Sequence, residues 1–242
     1  MASFPREELM AALPYARRYA RALTGSQQAG DSLVAEALGT LQATEDNARL
    51  GLYAAISRLA DQTAQRHPLD ARERQMLLLT TLEDLPADTA GRILGLDAAD
   101  AHRALESARA HVKSMASAEI LIIEDEPIIA MDLELLVKRC GHRVVGIAGS
   151  ETQAVNMAMA KRPSLILADI NLGRGGDGSR AVDRILKATE DSRIPVIFVT
   201  AYPERLLTGQ AVEPALVITK PFDPMALAVA TFEAVSRGVP VP

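Results

Sequence analysis

The 242-residue chain holds one cysteine and no tryptophan. A single thiol, Cys140, excludes an internal disulfide and fits a reducing compartment. It sits in LVKRCGH, where a small side chain packs well at a helix end. Aromatic residues make up 3% of the chain, too few for a platform on which bases stack. A basic excess is missing as well. Up to Ala116 there are 13 Lys and Arg against 15 Asp and Glu, and from Ser117 onward 13 against 16, so the two halves carry −2 and −3 of the net −5. Nucleic-acid binding draws most of its affinity from neutralised phosphates, so direct DNA binding is not expected of either half. No apolar run approaches the ~20 residues that span a bilayer, and MASFPREELM lacks a basic-then-apolar signal pattern. These absences lead us to expect a cytoplasmic protein with no membrane partner.

What is present is a large apolar fraction, 48%, in a chain too long for one ordinary core. Two rhythms divide it. Residues 1–116 are apolar at helical spacing in LMAALPYARRYARAL, LVAEALGTL and LGLYAAISRLADQTAQ. After His67-Pro68 breaks the pattern, Asp70 stands as an N-cap with Glu73 three residues on, leading into QMLLLTTL. DTAGRILGLDAADAHRALESARAHV then gives two helical runs joined at Gly95-Leu96-Asp97, a helix-turn-helix. We divide this half into helical domains at 1–65 and 66–116. Arg17, Arg18 and Arg21 form a small cationic face, read as solvated helix surface.

Residues 117–242 alternate instead. EILIIE, RVVGIAG, SLILAD, PVIFVT and ALVIT read as strands, separated by helical stretches such as EPIIAMDLELLVKRC and GSRAVDRILKATE. Such alternation predicts a parallel sheet covered on both faces, which explains why the strands are apolar throughout. The linker is expected at Met115-Ala116-Ser117-Ala118.

In open α/β sheets chemistry collects at the carboxyl ends of the strands, where the strand order reverses. The first strand ends in Glu124-Asp125, the third in Asp169, the fourth in Thr200 and the fifth in Lys220. With strand order 2-1-3-4-5 the acids converge in one crevice, and clustered carboxylates need a cation to stay ionised. Oxygen donors with room for water suit Mg2+. A nucleophilic carboxylate, a metal and a lysine together make a receptacle for a phosphoryl group. Gly173, Gly175, Gly176 and Gly178 are read as a loop.

This constellation resembles the receiver domain of bacterial response regulators, a flavodoxin-like (βα)5 fold, over residues 118–238. The resemblance implies that Asp169 accepts the phosphoryl group. It implies that Asp125, Asp169 and the Asn171 carbonyl ligate Mg2+, with Glu124 acting through metal-bound water. Thr200 and Lys220 would meet the phosphoryl oxygens, Tyr202 in FVTAY would follow the switch, and Lys220-Pro221 would be cis. A phosphatase of the haloacid dehalogenase type also places an Asp after a strand. It wants a second carboxylate two residues on, and Asn171 cannot serve. No enzyme activity is expected beyond the receiver's own aspartyl phosphorylation and dephosphorylation.

The helical half resembles small sigma factors of the extracytoplasmic-function type: LPYARRYARALTGSQQAGDSLVAEAL is similar to region two and LDARERQMLLLTTLEDLPADTAGRILGLDAADAHRALESARAHV to region four. It departs from them where DNA would be held. The second helix of the helix-turn-helix opens Ala98-Ala99-Asp100-Ala101, which sets an acid toward phosphate, and His102 and Arg103 are thin support. A sigma-like half in front of a receiver resembles the PhyR-type regulators of the alphaproteobacterial general stress response. That architecture implies an anti-anti-sigma factor: phosphorylation frees the sigma-like half to bind a NepR-type anti-sigma factor, and the true sigma factor is released. It also implies a sensor histidine kinase or phosphotransferase upstream. The alternative is a DNA-binding transcription regulator controlled by a receiver.

Overall fold

The computed structural model describes residues 4–41, 46–61, 67–114, 117–173, 176–189, 194–201, 216–221 and 223–236. These divide into two compact units, one ending at Lys113 and the other starting at Ser114. Among the described residues no helix is long and apolar enough to cross a membrane.

The first unit is all helical: α1 (Arg6–Thr24), α2 (Gln27–Thr40), α3 (Ala48–Ala60), α4 (Ala71–Thr81), α5 (Ala87–Leu94) and α6 (Ala98–Lys113). Local chemistry sets the boundaries. Ser26 and Asn47 cap α2 and α3 by accepting the amides of Ala29 and Leu50, and Asp70 with Glu73 closes the expected capping box on α4. Gly95 ends α5 at φ 69°, a left-handed turn that glycine adopts without a Cβ penalty. Gly91 lets the two helices of the helix-turn-helix meet closely, since a Cβ there would lie 2.6 Å from that of Ala101. Helices α1–α3 pack together, as do α4–α6, and α1 also touches α4 while α3 touches α5. Tyr19, Leu52, Tyr53 and Ile56 are fully buried in this core, with Met76 to Leu79 of α4.

The expected cationic face does not form. Arg17 grips Asp31 through two bonds of 2.7 Å, Arg18 is bound to Glu83, and Arg21 is buried. Sequence periodicity put the three on one helix, but acids from α2 and from the α4–α5 connection claim the first two.

The second unit is the predicted α/β sandwich. Its sheet holds β1 (Glu119–Ile123), β2 (Arg143–Ala148), β3 (Leu165–Ala168), β6 (Val196–Thr200) and β7 (Leu216–Thr219), all parallel, in the order β2-β1-β3-β6-β7. This is the expected 2-1-3-4-5 arrangement of the five main strands. Helices α8 (Glu151–Lys161) and α9 (Gly178–Thr189) pack together against β1–β3, and α7 (Pro127–Arg139) joins α10 (Pro224–Ser236) as a second pair. The central strands β1, β3 and β6 are buried almost throughout. The edge strands β2 and β7 are only part-buried, so two-sided burial holds for the middle of the sheet and not for its rims. Among the described glycines of the stretch after Asp169, the structure is more ordered than the sequence reading. A small antiparallel hairpin, β4 (Asn171–Leu172) with β5 (Gly176–Asp177), follows the third strand.

Candidate functional site

Register brings the acids together. Ile123 lies opposite Ala168 in the β1–β3 ladder, so the next residues, Glu124 and Asp169, leave adjacent strands at the same level. The Asp169 amide donates to the Ile123 carbonyl at 2.9 Å. On the other side, Thr200 lies opposite Thr219, and the amide of the following Lys220 donates to the Thr200 carbonyl at 2.9 Å. Parallel strands point all four ends to one edge.

The lysine ties the site. Lys220 Nζ donates to Glu124 Oε2 at 2.8 Å and to Asp169 Oδ2 at 2.7 Å, contacts that link residues 96 and 51 positions apart in sequence. Both carboxylates are nearly closed to solvent, with side-chain exposures of 0% and 9%. Burial acts to lower the Lys220 pKa, but its hydrogen bonds and proximity to Asp169 and Glu124 outweigh that and hold it above the ordinary value. The site therefore keeps its ammonium. Burial pushes the Glu124 carboxyl up, against the hydrogen bonds from Lys220 and from the Glu126 amide. Thr200 is fully buried at the end of β6. Lys220-Pro221 is cis, as the resemblance implied. Tyr202 lies outside the described residues.

Asp125 is anchored one step away. Its Oδ2 accepts the Gly173 amide at 2.8 Å, and a Cβ on residue 173 would fall 2.5 Å from that oxygen. Asn171 donates its amide to Asp169 Oδ1 at 3.1 Å. Behind it, Gly178 approaches the backbone so closely that a Cβ would lie 1.7 Å from the Asp169 carbonyl oxygen. The glycines read as loop are thus contact points: Gly173 serves Asp125, and Gly178 lets α9 start against the strand end. Gly175 lies outside the described residues. The sequence signal for this was the glycine density itself, but which glycine touches what depends on the fold.

The candidate donors are all oxygen: the carboxylates of Glu124, Asp125 and Asp169 and the backbone carbonyl of Asn171. That chemistry fits Mg2+, which keeps several waters and uses few protein ligands. Among the described residues no group of three His, Cys, Asp or Glu side chains is gathered closely enough to hold a metal ion by itself. Lys220 Nζ stands between Glu124 and Asp169, and Asp125 is held at Gly173.

Sequence reasoning missed a second polar cluster, inside the helical unit. Glu83, at the turn after α4, has no exposed side-chain surface. It takes Arg18 Nε and Nη2 at 2.8 and 2.9 Å and the Tyr53 hydroxyl, while Arg49 Nη2 bonds its backbone carbonyl at 2.7 Å. Those partners lie 65, 30 and 34 residues away, and TLEDLP carries no motif that would announce them.

Comparison with known proteins follows both units. Residues 120–231 match the response regulator receiver domain, and residues 9–57 match the Sigma2 domain of PhyR. The phyllosphere-induced regulator PhyR of Methylorubrum extorquens is 45% identical over 235 residues, covering 88% of this chain and 87% of that protein. The response regulator PhyR from Brucella abortus is 40% identical, with a TM-score of 0.84 over 95% of this chain and 93% of that one. The anti-anti-sigma factor PhyR from Bartonella quintana is 38% identical, with a TM-score of 0.84 over 95% and 94%. Because these matches run through the helical unit as well as the sheet, the chain belongs to the PhyR family of response regulators.

Proposed function

We propose that this protein is a phosphorylation-activated anti-anti-sigma factor whose switch is Asp169. The observation that carries this is the Lys220–Glu124–Asp169 cluster at the strand ends of a chain with a sigma-like unit ahead of it. A carboxylate nucleophile beside a lysine that keeps its proton is suited to receive a phosphoryl group, because the ammonium neutralises charge that develops on the transferring oxygens. Thr200, at the end of the neighbouring strand, supplies a hydroxyl for the modified Asp169, and Tyr202 follows that movement. Asp125, Asp169 and the Asn171 carbonyl would hold Mg2+, with Glu124 reaching it through water. When bound, the ion screens the charge on the phosphoryl oxygens. Self-catalysed phosphorylation and dephosphorylation at Asp169 are the only covalent steps assigned. A sensor histidine kinase or phosphotransferase supplies the phosphoryl group, and the cytoplasm is the compartment in which those partners meet.

The partner we assign is an anti-sigma factor. The Bartonella quintana relative is named an anti-anti-sigma factor and has been solved with the anti-sigma factor NepR. For this chain, phosphorylation at Asp169 would expose helix faces of the sigma-like unit to a NepR-type partner and so release the true sigma factor, a switch that needs two arrangements only a few kcal/mol apart. Calorimetric titration of a NepR-type protein should show tighter binding when beryllofluoride and Mg2+ are present. Asp169→Ala should remove that gain. Equal affinity with and without the analogue would end this reading.

A further inference from the structure

The hairpin that carries Asn171 is held from outside by a residue of another helix. Glu151 is the first residue of α8. Its Oε1 accepts the Asp177 amide at 3.3 Å and Arg180 Nη2 at 3.0 Å, and its Oε2 accepts Arg184 Nη1 at 3.3 Å. The carboxylate is 18% exposed, against 65% and 49% for the two arginines that close over it. Its position in the first turn of α8 adds the favourable end of the helix dipole.

Asp177 is the residue through which this grip reaches the site. It lies opposite Asn171 in the hairpin. Its own carboxylate accepts the amides of Ser179 and Arg180 at 2.8 and 3.3 Å, capping α9. The next residue, Gly178, donates its amide to the Ile170 carbonyl at 2.8 Å. The start of α9 is thus laid against the backbone of 169–171, and Glu151 ties that start to α8.

We propose that Glu151 is a positioning residue of the phosphorylation site: by bracing the β5–α9 corner it fixes the backbone at Asn171, and with it the carbonyl oxygen offered to a divalent cation. The proposal rests on the Asp169 reading above and adds a residue that touches neither the phosphoryl group nor the metal. The contacts assign the same direction to both arginines, which hold the carboxylate in place, with smaller effect because each supplies one bond.

The test uses the full chain and Mg2+ alone as the probe. In Glu151→Ala the Mg2+ dissociation constant by calorimetry should rise about tenfold, the low end of what is lost when a group orienting a metal's donors is removed. Hydrogen–deuterium exchange should quicken at Asp177 and Gly178. Labelling of Asp169 by acetyl phosphate should need more Mg2+ to reach half its maximum, with the rate at saturating Mg2+ close to that of the unmodified protein. Glu151→Gln, which keeps a neutral acceptor, should fall between the two. Should the alanine variant fail to fold by circular dichroism, Glu151→Gln and the Arg180→Ala/Arg184→Ala pair carry the same measurements. Unchanged Mg2+ affinity and unchanged exchange in the folded variants overturn the brace while leaving Asp169 as the acceptor. If the unmodified protein itself neither binds Mg2+ nor is labelled at Asp169, the site reading and the brace fall together.

Discussion

Glu83 shows what one residue contributes to the helical unit. A buried charge is tolerated only with full pairing, and here Arg18, Tyr53 and the backbone-bound Arg49 enclose it. Burial first, and then the neighbouring Glu83, push the Tyr53 phenol up, so its hydroxyl stays a donor. Removing the acid leaves Arg18 facing a low-dielectric core. Glu83→Ala should cost about 3–5 kcal/mol, read as a shift in urea unfolding of the full chain. The half-exposed Arg17–Asp31 pair should give less than about 1 kcal/mol in a double-mutant cycle. A Glu83 loss as small as that would mean the network contributes no more than a surface pair. His142 offers a pH readout in the receiver. It is buried, burial lowers its pKa, and its Nδ1 accepts the Ala118 amide at 3.2 Å. The folded pKa lies below the unfolded one, so the stability contributed by the neutral ring is complete above pH 6.5 and is lost as pH falls below that value toward the folded pKa. Melting temperature should drop over that window in the native chain, and His142→Phe should flatten the slope.

At the scale of elements, glycines separate packing from propensity. Gly178 begins α9 with no room for a methyl group, because a Cβ would overlap the Asp169 carbonyl. Gly178→Ala must push the helix start away, costing about 1–3 kcal/mol and slowing labelling of Asp169. Gly39 lies in α2 with nothing within 4 Å of its Cβ position, so Gly39→Ala should stabilise by up to about 1 kcal/mol through the unfolded chain. If thermal melts show the two substitutions to be equal, close approach is not what retains Gly178. The helix-turn-helix was legible in the sequence because capping, the left-handed Gly95 and helical periodicity all act within a few residues. The β4–β5 hairpin was not, since two-residue strands leave no periodic trace and form only where the neighbouring backbone fixes them.

For the whole molecule, charge decides between the two functional readings. The helix-turn-helix is present, yet Arg103 on its second helix is paired with Asp100, and Arg17 and Arg18 of α1 are paired as well. Cations held in such pairs are less able to replace counterions on DNA. Gel shifts with promoter DNA should show no retardation at physiological salt and no steep dependence as salt is lowered. A slope equivalent to several released ions would restore the transcription-regulator alternative. The family relatives fit the protein-binding reading, since the Bartonella quintana member is named for it.

By itself the sequence determined the two rhythms, the five main strands, the Asp70–Glu73 capping box, and the strand-end positions of Glu124, Asp125, Asp169, Thr200 and Lys220. Each of these follows from local periodicity, capping chemistry or the rule that parallel strands gather their carboxyl ends at one edge, while the strand order came with the receiver resemblance. Only the tertiary structure decided that Lys220 joins Glu124 to Asp169, that Gly173 and Gly178 are contacts and not slack, that Glu151 grips the corner behind Asn171, and that Glu83 gathers Arg18, Arg49 and Tyr53. Apart from the approach of Gly178 to Asp169, those pairings join residues 26 to 96 positions apart. No local preference encodes such a pair: it exists only once burial has removed water as the competing partner and packing has set the distance.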